Sequence, residues 1–246
     1  MKTKLALALC LTLAASSANA QLLLGVEKSA TPNPHNNPTV TPIYVSASAS
    51  GTTTISAVTT ANCTAGSTIV VAALNRVSGY LSGVTDGLST TYSFGSHVAA
   101  TNFNGNFGWG APIASTISSG STITLTWAGS PSGGKGAIIW CVTPGTSSPV
   151  SPDLTALAGI SNQTGTIGTY SSGTLTYPNE VVFGLVGINN GSNTPVQPSG
   201  WTGTYAQNSS ILIGGYQIVS SNASVTYNPT WTTSVSFGSN IVTFGF

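Results

Sequence analysis

Few side chains in this 246-residue sequence can move a proton or hold a metal. The carboxylates are Glu27, Asp86, Asp153 and Glu180, and the imidazoles are His35 and His97. Hydrolysis of a glycoside needs two carboxyl groups about 5–9.5 Å apart across the substrate. Glu27 falls in an irregular leader, so a pair must come from Asp86, Asp153 and Glu180. Each of these has a local structural role open to it. Asp86 precedes Gly87 in a turn, where a carboxylate can accept nearby backbone N–H groups. Asp153 follows Pro152 and could cap a short helical turn over Asp153 to Ile160. Glu180 opens an apolar strand and belongs at its rim. Nucleophilic catalysis needs a base beside the nucleophile. His97, in a Gly/Ser loop, reads as an exposed side chain, and no G-x-S-x-G elbow leads into a helix. Two distant histidines and no acidic cluster match no zinc or calcium spacing. The glycine clusters lie between strands, as turns, and form no phosphate loop. The expectation is a protein without catalytic residues, metal or cofactor.

Binding chemistry has better candidates. Lectin-like sites stack sugars on aromatic faces and hydrogen-bond them with amides and carboxylates. Trp127, Trp140 and Trp231 fall in or at the ends of strands and read as core. Trp109 and Trp201 lie among glycines and are the tryptophans expected to be exposed, with glycans as the ligand class. Five Asn-x-Ser/Thr sequons, at Asn62, Asn162, Asn190, Asn208 and Asn222, are read as incidental to a chain rich in Asn, Ser and Thr.

The first twenty residues have Lys2 and Lys4, an apolar run from Leu5 to Ala15, and Ala18-Asn19-Ala20, the pattern of a secretory signal peptide. The apolar run is too short to cross about 30 Å of hydrocarbon. A secreted or cell-surface location is therefore expected, with the periplasm as an alternative and no membrane insertion after cleavage. Beyond residue 20, Lys28, Arg76 and Lys135 face four carboxylates, a net charge of −1. Charged residues make up 4% of the chain, against about 25% in ordinary soluble proteins. There is no basic patch, which argues against nucleic acid. Such a surface offers little electrostatic defence against self-association, so self-assembly or a surface partner protein is expected. Export makes a disulfide between Cys63 and Cys141 available, with two separate buried thiols as the alternative.

Residues 21–50 read as a Pro-rich irregular leader or arm, with an edge strand near Ile43 to Ser48 as an alternative, and residues 51–246 as a single domain. Strand signals recur through it. Ser67 to Asn75 (STIVVAALN) is a continuous apolar strand, and Ser121 to Trp127 (STITLTW) alternates with period two. No segment has helical periodicity with a cap. The series STIVVAALN, TDGLSTTYS, STITLTW, AIIWCV is echoed by NEVVFGLVGI, SGWTGTYAQ, ASVTYNPTW, NIVTFGF. The fold class expected is all-β, an antiparallel β-sandwich of jelly-roll or immunoglobulin-like type, built as a pseudo-repeat of two four-strand halves.

The run GSTIVVAALN, GVTDGLSTTYS, GSTITLTW, AIIWCV, GTLTYPNEVVFGLV and SGWT resembles β-sandwich proteins encoded in tailed-phage and prophage genomes and found as secreted bacterial proteins. The matching positions are Asp86, Tyr92, Gly120 to Thr126, Asp153, Glu180 and Trp201, over about residues 62–246. The resemblance implies a sandwich with a virion-surface or cell-surface role and no known chemistry. A signal peptide departs from a virion protein assembled in the cytoplasm and shifts weight towards a bacterial surface. The function expected is structural, adhesive or assembly-related, with a carbohydrate-binding module as the alternative and a glycoside hydrolase behind it.

Overall fold

Runs of Val, Ile and Thr crowd a helix but pack well on a pleated surface, so most of this chain is driven into extended structure. The computed structural model describes residues 37–48, 52–76, 79–100, 103–110, 112–129, 134–145, 150–207 and 210–246. The segment read as a signal peptide, the leader up to residue 36 and His35 lie outside the described residues.

The described residues contain sixteen strands and no helix. In chain order the first nine are β1 (Thr39–Ser48), β2 (Thr54–Val58), β3 (Thr68–Arg76), β4 (Leu81–Thr85), β5 (Tyr92–Phe94), β6 (Val98–Ala100), β7 (Phe103–Gly110), β8 (Thr122–Trp127) and β9 (Lys135–Thr143). They are followed by β10 (Ser151–Ile167), β11 (Tyr170–Ser171), β12 (Glu180–Ile188), β13 (Thr202–Gln207), β14 (Ile211–Val219), β15 (Thr226–Tyr227) and β16 (Thr230–Gly245). One large sheet has the order β1-β9-β3-β7-β5, with β6 also on β7; the other runs β10-β16-β12-β14-β13. Two small sheets, β2-β8-β4 and β11-β15, complete the set, and every pairing is antiparallel.

The layering follows from the period of two along each strand. On β3, Ile69, Val71 and Ala73 pack towards the small sheet, beside Ile55, Ile123, Leu125 and Trp127. Val70, Ala72 and Leu74 point the other way, into a core shared with Phe183, Leu185 and Phe244 of the second large sheet. A strand buried on both faces has no polar side to show, hence the unbroken STIVVAALN run. Aromatic contacts bind the two large sheets: Trp140 lies 5.2 Å from Phe183, and Trp109 meets Phe244 edge-on at 6.1 Å. The chain is thus an all-β, antiparallel, β-sandwich-like protein.

Two stretches differ from the sequence reading. Of the roles open to the leader, its end takes that of the edge strand: β1 covers the stretch near Ile43 to Ser48, begins earlier, and pairs with β9 along its length. The register shifts between Pro42 and Tyr44, so the missing proline donor sits at a bulge on an edge strand, where it does least harm. The domain therefore starts before residue 51: the compact unit holding these residues runs from Pro34 to Phe246. Asp153 to Ile160 is part of β10 rather than a helical turn, held extended by β16 through a ladder broken by bulges. Tertiary pairing there outweighs local helix propensity.

Cys63 and Cys141 form a disulfide with Cα atoms 5.5 Å apart, inside the usual range for a bridge. It closes a span of 78 residues and lies buried in the core between β3, β9 and the small sheet. Neither cysteine is a free thiol.

Gly184, in the middle of β12, is required by packing. A Cβ there would lie 2.2 Å from Cδ1 of Tyr227. Tyr227 is fully buried against this glycine and donates its hydroxyl to Gln197 Oε1 at 3.0 Å. Gly184→Ala is expected to cost about 2–3 kcal/mol by overpacking, read from the denaturant midpoint. An unchanged midpoint would mean that Tyr227 does not seat on β12.

Candidate functional site

The ionisable groups are placed first by the strands that carry them. Asp86 follows β4 directly and closes the turn that Gly87 makes possible, with φ +75°. Its Oδ1 accepts from Leu88 N–H at 2.8 Å, and its Oδ2 from the Tyr92 hydroxyl at 3.0 Å. Burial alone would raise this carboxyl; the Thr90 hydroxyl beside it, with Leu88 and Tyr92, outweighs burial and holds it below the usual carboxylate value. Burial and the Asp86 charge push the Tyr92 phenol up. Asp86 and Gly87 thus form a structural turn.

Asp153 and Glu180 open β10 and β12, the two strands that flank β16. They meet beneath the segment before Glu180. Consecutive amides there reach different carboxyls: Thr176 N–H donates to Asp153 Oδ2 at 3.0 Å, and Tyr177 N–H to Glu180 Oε1 at 2.9 Å. Glu180 is 0% exposed. Its Oε2 is buried with no hydrogen-bond partner, and the Asp153 side chain and Thr243 lie near the Glu180 carboxyl. Burial lifts the Glu180 carboxyl above its ordinary value; the Tyr177 amide and Thr243 oppose this, and Asp153 adds to it. Two carboxyls in contact in a dry site share a proton more readily than they both ionise. The sequence names this pair only as one of three possible pairings among Asp86, Asp153 and Glu180, and gives each member a separate local role. The available signal was that both residues begin strands bordering the C-terminal strand, which becomes informative only once the sheet order is known. A glycosidase needs a substrate between its carboxyls, and both members of this pair are buried beneath the Thr176–Tyr177 backbone.

His97 is exposed and stacks on Tyr80 with ring centroids 4.9 Å apart. Lys135 is buried at the start of β9, where Nζ donates to Thr52 Oγ1 at 3.2 Å and lies 5.7 Å from the Trp127 ring centroid. Burial lowers its pKa. Among the described residues no three His, Cys, Asp or Glu side chains gather as a metal site, and no helix is long and apolar enough to cross a membrane.

The two tryptophans expected to be exposed are both buried, Trp109 at 6% and Trp201 at 9%. Trp201 packs on Tyr227 at 4.5 Å and donates its indole N–H to Thr226 O at 3.2 Å. It ties β13 to the β11-β15 sheet. The glycines beside Trp109 mark close packing instead of exposure: Gly108 is crowded by Leu81 and Phe94, and Gly110 by Thr90 and Tyr92. Trp109 nevertheless reaches a cleft of about 190 Å³ at one end of the sandwich. Thr68, Trp109, Gly110 and Val150 form its buried floor. Its rim is Ser93, Pro112, Ser151 and Pro152. The structure thus separates the two candidate binding residues, placing Trp109 at a cleft and Trp201 in a packing contact.

Fold and site together define an all-β protein of stacked antiparallel sheets, closed by a buried disulfide and carrying one small uncharged cleft among the features described. Comparison with protein-family models, curated proteins and solved structures found no match.

Proposed function

We propose that this chain is an exported, non-enzymatic β-sandwich with a structural, adhesive or assembly role at a cell or virion surface. The observation that carries the proposal is the use made of its acids: Asp86, Asp153 and Glu180 are all buried and each accepts a hydrogen bond from the backbone of a turn or loop. Among the described residues the exterior is left mainly to hydroxyl, amide and scattered apolar groups, with Arg76 and His97 beside them, a surface suited to contact with neighbours rather than to free solution. The Cys63–Cys141 bridge fits an oxidising compartment, in keeping with the signal-peptide pattern of the first twenty residues. Kinship with the phage-encoded and secreted β-sandwich proteins is part of the same reading.

The proposal extends to the fold. Within residues 39–143, β1 pairs with β9, β2 with β8 and β3 with β7; within residues 151–245, β10 pairs with β16, β11 with β15 and β12 with β14. First with last, second with next-to-last, is the nested pairing of a ribbon wound on itself, as in a jelly roll. The two halves are read as repeats of one jelly-roll-like unit. The approach of β1 to β13 and of β10 to β6 is reciprocal and supports a two-fold-like arrangement of the pair.

Surface display is tested by fractionation and by protease or antibody access on intact producing cells and particles. The protein is expected in the surface or particle fraction and open to externally added protease. Recovery as a freely soluble periplasmic monomer would overturn the reading.

A further inference from the structure

We propose that the cleft floored by Trp109 binds a single neutral sugar residue. This goes beyond a surface role and does not depend on where the protein resides.

Size comes first. An apolar cavity of about 150 Å³ holds one benzene ring. At about 190 Å³, this cleft takes one six-membered ring and is too small for a drug-sized ligand. Position agrees, since ligand sites favour the junction of packed units. The floor joins Thr68 of β3 and Trp109 of β7 to Val150, just before β10 enters the second large sheet. The Thr68 hydroxyl bonds Val150 O across this junction at 3.3 Å.

Lining chemistry then selects the ligand. No lining residue is ionisable, so a charged ligand would lose water without gaining a counter-charge. A wholly apolar ligand would strip water from the Ser93 and Ser151 hydroxyls at the mouth and offer no hydrogen bond in return. A pyranose satisfies both demands. Its C–H face suits the indole of Trp109 and the rings of Pro112 and Pro152, and its hydroxyls can reach the serines. Ser93 is positioned for this because it is the cross-strand partner of Trp109.

The test is saturation-transfer NMR on the purified protein with glucose, galactose, mannose and N-acetylglucosamine. Benzyl alcohol serves as the apolar probe and glucuronate as the charged one. At least one neutral sugar is expected to bind with Kd of about 1 mM, the scale for a ligand of this size. Trp109→Ala removes core packing as well as the platform, so the deciding variant fills the mouth instead. Ser93→Phe with Ser151→Phe, at two exposed positions, is expected to weaken binding at least tenfold with the thermal midpoint unchanged. Should that variant unfold, Trp109→Phe is expected to weaken binding with the fold kept. The proposal fails if no neutral sugar gives transfer, if benzyl alcohol or glucuronate binds in their place, or if the filled-mouth variant folds and binds as before. None of these outcomes bears on surface display, which fractionation tests separately.

Discussion

Replacing Cys63 and Cys141 together by alanine is expected to lower stability by about 4 kcal/mol. The bridge closes a span of 78 residues, and loop-closure entropy for a loop of that size is worth about 4–5 kcal/mol in the unfolded chain. Sequence position matters less than what the bridge joins. Cys63 lies in the link between β2 and β3, and its N–H and C=O both pair with Ile117. Cys141 lies on β9, paired with Thr41 of β1 and Ile69 of β3. The crosslink therefore pins a loop to the middle of a large sheet. Equilibrium denaturation of the double variant should show a lower midpoint and a larger m, since the uncrosslinked chain exposes more surface on unfolding. Because both cysteines are buried, thiol reductant alone should leave the bridge intact, and reduction should require denaturant as well. A loss under about 1 kcal/mol would show that the crosslink adds little to a framework already closed by strand pairing.

The second large effect belongs to Asp153 and Glu180. Asp153→Ala removes the carboxyl that accepts from the Thr176 amide and that lies near the buried Glu180 carboxyl, at a cost of about 3 kcal/mol. Glu180→Gln should be nearly silent at acidic pH, because a glutamine amide can accept from Tyr177 and donate to Asp153 as a protonated carboxyl does. The two diverge as pH rises. A group whose folded pKa lies above its unfolded value stabilises fully below the unfolded value, and that stabilisation is lost as pH climbs through the folded one. Glu180 is such a group. Wild-type stability should therefore fall as pH increases from the ordinary glutamate range, and Glu180→Gln should abolish that fall. Asp86 acts with the opposite sign: its pKa is lowered, so its contribution is present at higher pH and lost on acidification through its folded value. Denaturation midpoints across pH test both. Identical profiles for wild type and Glu180→Gln would rule out a shared proton.

Local patterns in the sequence carried a good part of this. The apolar run of β3 and the alternation of β8 announce themselves because burial on two faces or one leaves a different period. The Asp86-Gly87 turn was legible because its partners, Leu88, Thr90 and Tyr92, all lie within the next six residues. The sequence limited chemistry too, by providing few ionisable groups. Tertiary structure decided whatever depends on distant partners. β1 is a strand despite its prolines because β9 supplies its ladder and a bulge absorbs Pro42. Glycine neighbours suggested that Trp109 and Trp201 were exposed, yet the glycines beside Trp109 let Phe94 and Tyr92 close in, and Gly203 beside Trp201 packs on the β14 backbone and Gln197. Asp153 and Glu180 become a pair only because β16 lies between their strands. The cleft beside Trp109 exists only where one large sheet ends against the other. Residue type and short-range spacing set the period and the turns; contacts between remote strands set burial, and burial determines which acids, thiols and rings are left to act.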